Sequence, residues 1–151
     1  MSADPFAAST PLPRPTPLSE PFWEGCRLGE LRAQRCVACG SWIFIPQPAC
    51  TTCLSEALEW TPSCGRGRVY SLSVVHRPQQ PGFTVPYIVA IVALEEGWTM
   101  LTNLVECAPE DAVIDLPVEV AFRRMSDEIT LPCFRPAGTG PSPGDEQAPC
   151  E

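Results

Sequence analysis

The spacing of apolar and polar positions changes once along this chain, near Gly65. Upstream, Ser19 stands where a helix N-cap belongs, with Glu20 and Pro21 in the first turn, where a missing N–H does no harm. Phe22 and Cys26 then fall four apart, with Trp23 slightly off the same stripe. This spacing predicts a short helix from Ser19 to about Leu31, weakened inside by Gly29, within a segment 19–34. Two large aromatics on so short a helix are costly to leave wet. That face is expected against the core or, on a sharper reading, at a docking or ligand surface.

Downstream the period becomes two. Tyr70, Leu72 and Val74 alternate with Ser71, Ser73 and Val75, and Val118, Val120 and Phe122 with Glu119, Ala121 and Arg123. Tyr87–Leu94 is apolar at every position, so both of its faces are expected to be covered. Glu95, Glu96 and Gly97 suit a tight hairpin into a strand over Trp98–Leu104, and Ser126 and Asp127 a turn into Ile129–Phe134. Five strands fit a small Greek-key barrel of OB type over 63–136 better than a sandwich, which wants about seven. The stretch Arg77–Pro86 carries three prolines and is too stiff for a plain hairpin. The flanks 1–18, with five of the nineteen prolines, and 137–151 hold little periodic apolar content and are expected to be disordered, leaving Cys150 in a mobile tail.

Composition narrows the function. The net charge is −8 and the chain contains no Lys, which excludes side-chain Schiff-base chemistry and argues against a general nucleic-acid binder. No apolar run approaches a membrane span, and the start lacks the basic and apolar regions of a signal peptide. A cytoplasmic, reducing compartment is therefore expected.

Four of the nine cysteines form two C-x-x-C pairs, Cys36/Cys39 and Cys50/Cys53, separated by ten residues. Each pair makes a knuckle that aims two sulfurs at one point, and two knuckles joined by a hairpin complete a tetrahedral sulfur shell. Gly40 suits the turn after a knuckle, and Trp42–Ile45 gives the hairpin a strand-like run ended by Pro46 and Pro48. The expectation is a zinc ribbon over 35–62 holding structural Zn2+, since four thiolates leave no position for water or substrate. Two redox dithiols, or an iron site with the same ligands, are the alternatives. Cys26, Cys64, Cys107 and Cys133 are most simply small core or surface residues.

Catalytic groups are sparse. The single His, His76, has Arg77 rather than a carboxylate beside it, and Cys107 sits in the acidic run ECAPED, which raises a thiol pKa. No nucleophile elbow, phosphate loop or metalloprotease pattern is present. No catalytic residue is assigned. Arg66, Arg68 and Arg77 are the cations best placed to hold a phosphorylated ligand, with His76 beside them, and solvated surface charge is the plainer reading.

The order of these motifs resembles the family of zinc-ribbon and OB-fold proteins associated with acyl-CoA enzymes. The resemblance runs through Phe22-Trp23-Glu24, Gly29-Glu30-Leu31, Gln34-Arg35-Cys36, Cys39-Gly40, Pro46 and Cys50-x-x-Cys53. It continues through Leu58-Glu59-Trp60, Gly65-x-Gly67, Val69-Tyr70-Ser71, Val75-His76-Arg77, Pro86-Tyr87 and Leu131-Pro132-x-Phe134. Cys64 departs from the Ser or Ala usual before that glycine. The resemblance implies an accessory subunit paired in a hetero-oligomer with a thiolase-like enzyme: a thiolase, a hydroxymethylglutaryl-CoA synthase assembly or a steroid side-chain aldolase. The partner would carry catalysis while this chain helps form the acyl-CoA site. Phe22, Trp23, Phe83 and Tyr87 are the expected interface residues. A single-stranded nucleic-acid module on the same fold is the alternative from another class.

Overall fold

Gly29 sets the first boundary. It adopts φ +75, and the Gly29 and Glu30 amides donate to the Cys26 and Gly25 carbonyls, the paired bonds that close a helix on a left-handed glycine. Helix α1 (Glu20–Arg27) therefore stops short of the expected Leu31, and the chain leaves as a strand. Ser19 holds the N-cap position without a side-chain cap; its hydroxyl accepts from the Thr16 amide instead.

The computed structural model describes residues 5–138. After α1, strands β1 (Arg32–Cys36), β2 (Trp42–Ile43) and β3 (Leu58–Pro62) form a three-stranded antiparallel sheet in the order β2-β1-β3. Strands β4 (Arg66–Val75), β5 (Tyr87–Leu94), β6 (Thr99–Leu104), β7 (Pro117–Arg124) and β8 (Thr130–Pro136) close a barrel in the order β4-β5-β6-β8-β7. The described residues are thus mostly β, a ribbon followed by a five-stranded OB-like barrel, with one short helix among them.

Alternation follows the barrel's inside and outside. Along β5 the buried side chains are Ile88, Ala90, Val92 and Leu94, with half-buried apolar residues between them. In β4 the alternation is reset: a bulge between Val69 and Ser71 turns Tyr70 outward to 68% exposure, while Leu72 and Val74 stay half-buried. Tyr70 therefore does not share a face with Leu72 and Val74, because the extra residue flips the parity of everything before it. One core joins helix, ribbon and barrel, running from Phe22, Cys26, Leu31 and Ala33 to Val69, Val92, Val118 and Phe134.

The described part of the N-terminal arm differs from the disorder expected of it. Phe6 bridges Phe83, the Thr84 amide donates to the Pro5 carbonyl, and both the Ala7 amide and the Thr10 hydroxyl bond the Gly82 carbonyl. The stiff 77–86 loop supplies the pairing partner that the arm's own sequence lacks. Gly82 is required there, at φ +108, because a Cβ would press on the Ser9 backbone. The expected disordered tail falls largely on residues 139–151, with Cys150, outside the described residues.

Candidate metal centre and the surfaces around it

The two knuckles have the same backbone design. The Gly40 amide donates to the Cys36 carbonyl at 2.8 Å and the Leu54 amide to the Cys50 carbonyl at 3.0 Å. Both acceptor turns end in a left-handed residue, Gly40 at φ +74 and Leu54 at φ +65. Around them the ribbon has its own small core of Cys36, Ile43 and Cys50, with Leu58 packed on it.

The sulfurs converge. Cys36 and Cys53 Sγ lie 3.6 Å apart, as do Cys39 and Cys50 Sγ, and all four lie within 4.8 Å of one another. A tetrahedron with metal–sulfur bonds of about 2.3 Å has edges of about 3.8 Å, so this donor set fits zinc in size and softness. Hydrogen bonding from Ser41 to Cys39, whose Sγ and Oγ are 3.2 Å apart, lowers the Cys39 pKa to about 6. The Cys53 amide likewise lowers the Cys50 thiol. At Cys53 the Ser55 amide pulls down, yet the crowding by the Cys36 and Cys39 thiols pushes the group up to about 12. Four like groups sharing one point resist simultaneous ionisation, and a divalent cation removes that resistance.

Sequence reasoning passed over several supports of this centre. Gln34 is buried, its side-chain amide donating to the Gln47 carbonyl at 3.0 Å and its oxygen accepting from the Gln47 amide at 2.7 Å. That pair stitches the loop before the second knuckle onto β1. Trp42 carries Arg35 over its ring at 5.8 Å, and Phe44 packs between Phe22 and Trp98, at 5.4 and 5.1 Å. These contacts fasten the ribbon to both helix and barrel.

Arg66 and Arg68 both project outward from the start of β4. The Arg66 Nε lies 3.5 Å from a Glu95 carboxylate oxygen, and Arg68 donates to the Asp115 carbonyl at 2.9 Å. His76 and Arg77 are exposed in the bend after β4, beyond a ten-residue strand, roughly 30 Å of extended chain away. The structure brings Arg66 and Arg68 together and keeps His76 and Arg77 apart from them.

Phe22, expected at an interface, is 4% exposed and belongs to the core, its ring meeting Trp23 edge-on at 4.9 Å. Trp23 is half-buried, as is Phe83, which stacks on Tyr87 at 5.5 Å. Cys26, Cys64, Cys107 and Cys133 are all buried. Burial, then Asp111 and Glu110, raises the Cys107 pKa, which makes it a poor nucleophile. No helix among the described residues is long and apolar enough to cross a membrane.

A closed four-cysteine centre on a three-stranded sheet, fused through a shared core to a five-stranded barrel, defines a zinc-ribbon and OB-fold protein. The family model for the ChsH2 rubredoxin-like zinc ribbon domain matches residues 23–59, and that for the ChsH2 C-terminal OB-fold domain matches residues 60–123. The chain belongs to this ChsH2-type, DUF35 family. It is 42% identical over 117 residues to a probable enoyl-CoA hydratase alpha subunit of Thermomonospora curvata, covering 77% of this chain and 37% of that one. The chain thus spans little more than a third of that relative's length. It is 38% identical over 96 residues to a DUF35 domain-containing scaffold protein of Methanocaldococcus jannaschii, covering 62% of this chain and 68% of that one. Among solved structures it is similar to a chain of an Ltp2–ChsH2(DUF35) aldolase, with a TM-score of 0.77 and 38% identity over 83% of this chain and 99% of that one.

Proposed function

We propose that this chain is a non-catalytic accessory subunit that docks on a thiolase-like enzyme and helps form its acyl-CoA site. The observation that carries the reading is the match, at 38% identity, to 99% of a chain belonging to an aldolase assembly. The chemistry agrees with it. The one histidine stands exposed in a bend, the buried Cys107 has a raised pKa, and the four knuckle thiols converge on one metal position. The nucleic-acid alternative gains no support from the barrel: Arg66 and Arg68 stand at one end of β4 and Arg77 beyond the other, roughly 30 Å of extended chain away, so they do not form a continuous cationic groove.

Within the acyl-CoA site, Arg66 and Arg68 are the pair placed to meet one phosphate of the nucleotide; Arg77, at the other end of β4, would need a different group. Loss of one charge-assisted contact weakens binding by about 1.5–3 kcal/mol, roughly ten- to a hundredfold. The test is co-expression with the thiolase-like subunit of the same host. Co-elution as a stable complex is expected, with acyl-CoA cleavage abolished by mutating the partner's nucleophile. Calorimetry of that complex should show weaker acyl-CoA binding in Arg66→Ala and Arg68→Ala. A chain that remains alone and turns over an acyl-CoA unaided would refute the reading.

A further inference from the structure

The barrel is not zipped all the way round. β7 and β8 align over seven residue pairs and β5 and β6 over six, whereas β6 and β8 meet at one, Leu104 and Phe134. On the N-terminal side of that pair no ladder joins 99–103 to 131–133, which leaves a seam. A single side-chain bond crosses it, the Thr102 hydroxyl donating to the Pro132 carbonyl at 3.0 Å. Helix α1 and the residues after β2 lie over the seam without filling it, and a slot of about 450 Å³ remains. That is within the range of small-molecule sites.

Its walls are mostly apolar. Phe22, Trp23 and Phe44 form an aromatic side, Met100 and Cys133 line the barrel side, and Phe6 of the strapped N-terminal arm stands at the edge. No lining residue is acidic, basic or His. The Thr102 hydroxyl and one Asn103 N–H are spent on the Pro132 and Ile88 carbonyls, which leaves the Thr99 hydroxyl and the Asn103 oxygen as the side-chain polar groups of the lining. Two large aliphatic side chains of the lining, Ile45 and Leu101, are 69% and 68% exposed. Such a space offers water few polar partners, and a carboxylate or phosphate would find no counter-charge. The aromatic side is braced, since Phe22 packs on both Trp23 and Phe44, and Phe44 packs in turn on the buried Trp98 behind it.

We infer that this slot binds the uncharged hydrocarbon body of a small lipid-like molecule, a linear chain or fused rings. As to the natural ligand, the inference rests on the accessory-subunit reading, in which that body is the acyl part of a thioester. The slot itself stands on the geometry alone, and its test needs neither coenzyme A nor partner.

The zinc-loaded full chain is titrated with 1-dodecanol, a linear probe, and with progesterone, a neutral fused-ring probe. The reporter is the Met100 methyl resonance, with Met125, outside the slot, as the internal reference. Saturable movement of Met100 with one equivalent of either probe is expected, and the responding probe gives the shape of the occupant. Leu131→Trp, which fills the slot, and Leu101→Asp, which charges its lining, should each weaken binding at least about tenfold, equivalent to about 1.4 kcal/mol. Either variant suffices if the other fails to retain its thermal midpoint and zinc. The inference is overturned if neither probe moves Met100, or if a folded variant binds as the parent does. It is equally overturned if the variants disrupt only co-elution with the partner, which would make the slot a socket for protein side chains. Failed co-elution with intact probe binding would instead count against the accessory reading alone.

Discussion

Trp42 of the ribbon stacks on Trp98 at the mouth of the β5–β6 hairpin, with ring centroids 6.4 Å apart and planes 15° from parallel. Trp98 is buried while Trp42 is half-buried, so the pair acts as a bolt between two sheets that share no backbone hydrogen-bond ladder. Trp42→Ala should cost about 2–4 kcal/mol, slightly below a fully buried truncation. Chemical denaturation should show a lower midpoint while elemental analysis still finds the metal, because Trp42 supports the joint and not the ligand set.

The metal prediction follows from convergence of four thiols. Purified protein should contain about one zinc per chain. Cys50→Ser replaces a ligand that is also part of the ribbon's small core, so metal loss and ribbon unfolding should occur together. Cobalt substitution should give the intense thiolate charge-transfer absorption of a four-sulfur site, and its absence would refute the centre.

Leu54 repeats the left-handed turn of Gly40 with the wrong residue for it. At φ +65 and 78% exposed, it bears backbone strain of about 1–2 kcal/mol without burial to offset it. Leu54→Gly should therefore raise stability, by up to about 1 kcal/mol after the added chain entropy. The conserved metal content and a higher urea midpoint are the expected results. An unchanged or lower midpoint would give Leu54 a role that backbone strain does not describe.

Alkaline pH should expose the buried thiols. Burial pushes Cys26 and Cys133 from 9.0 up to about 12. The unfolded thiols ionise from about pH 9 while the folded ones stay neutral, so their contribution is complete below pH 9 and is lost as pH climbs toward 12. Between pH 8 and pH 10.5, Cys26→Ala should lose less stability than the parent in urea titrations. Equal losses would show that these thiols do not set the alkaline limit.

The elements legible in the sequence were those whose signal is local. The knuckles rest on Cys spacing, and β5 on an unbroken apolar run whose alternate residues then face the barrel interior. The end of α1 was misjudged because Gly29 reads as an interior weakness, when its left-handed backbone makes it the terminator. β1 leaves no local signal: Arg32–Cys36 buries Ala33 and Gln34 side by side, without the alternation that marks a strand. Its pairing with β2 and β3 is a tertiary fact. The order of the arm is hidden for the same reason, since Phe6 and Thr10 find their partners some seventy residues onward. At the candidate ligand surface, residue type identified the cations. Only the strand's length revealed that Arg77 stands too far from Arg66 to share a phosphate with it.

Barrel closure has a temporal side. Its final ladder joins Arg66, Gly67 and Arg68 to Glu119, Val118 and Pro117, residues roughly fifty positions apart, whereas the ribbon's pairs lie within a short hairpin and its flank. A chain synthesised from its N-terminus exposes both knuckles long before β7 and β8. At about 5–20 residues per second, the stretch from Cys53 to Pro136 takes roughly 4–17 s to appear. During that interval the metal centre has its four ligands, while β5, with apolar side chains on both faces, has no finished barrel to cover it. The nascent chain is accordingly most vulnerable to misassembly in its second half, and chaperone dependence should track the barrel and not the ribbon.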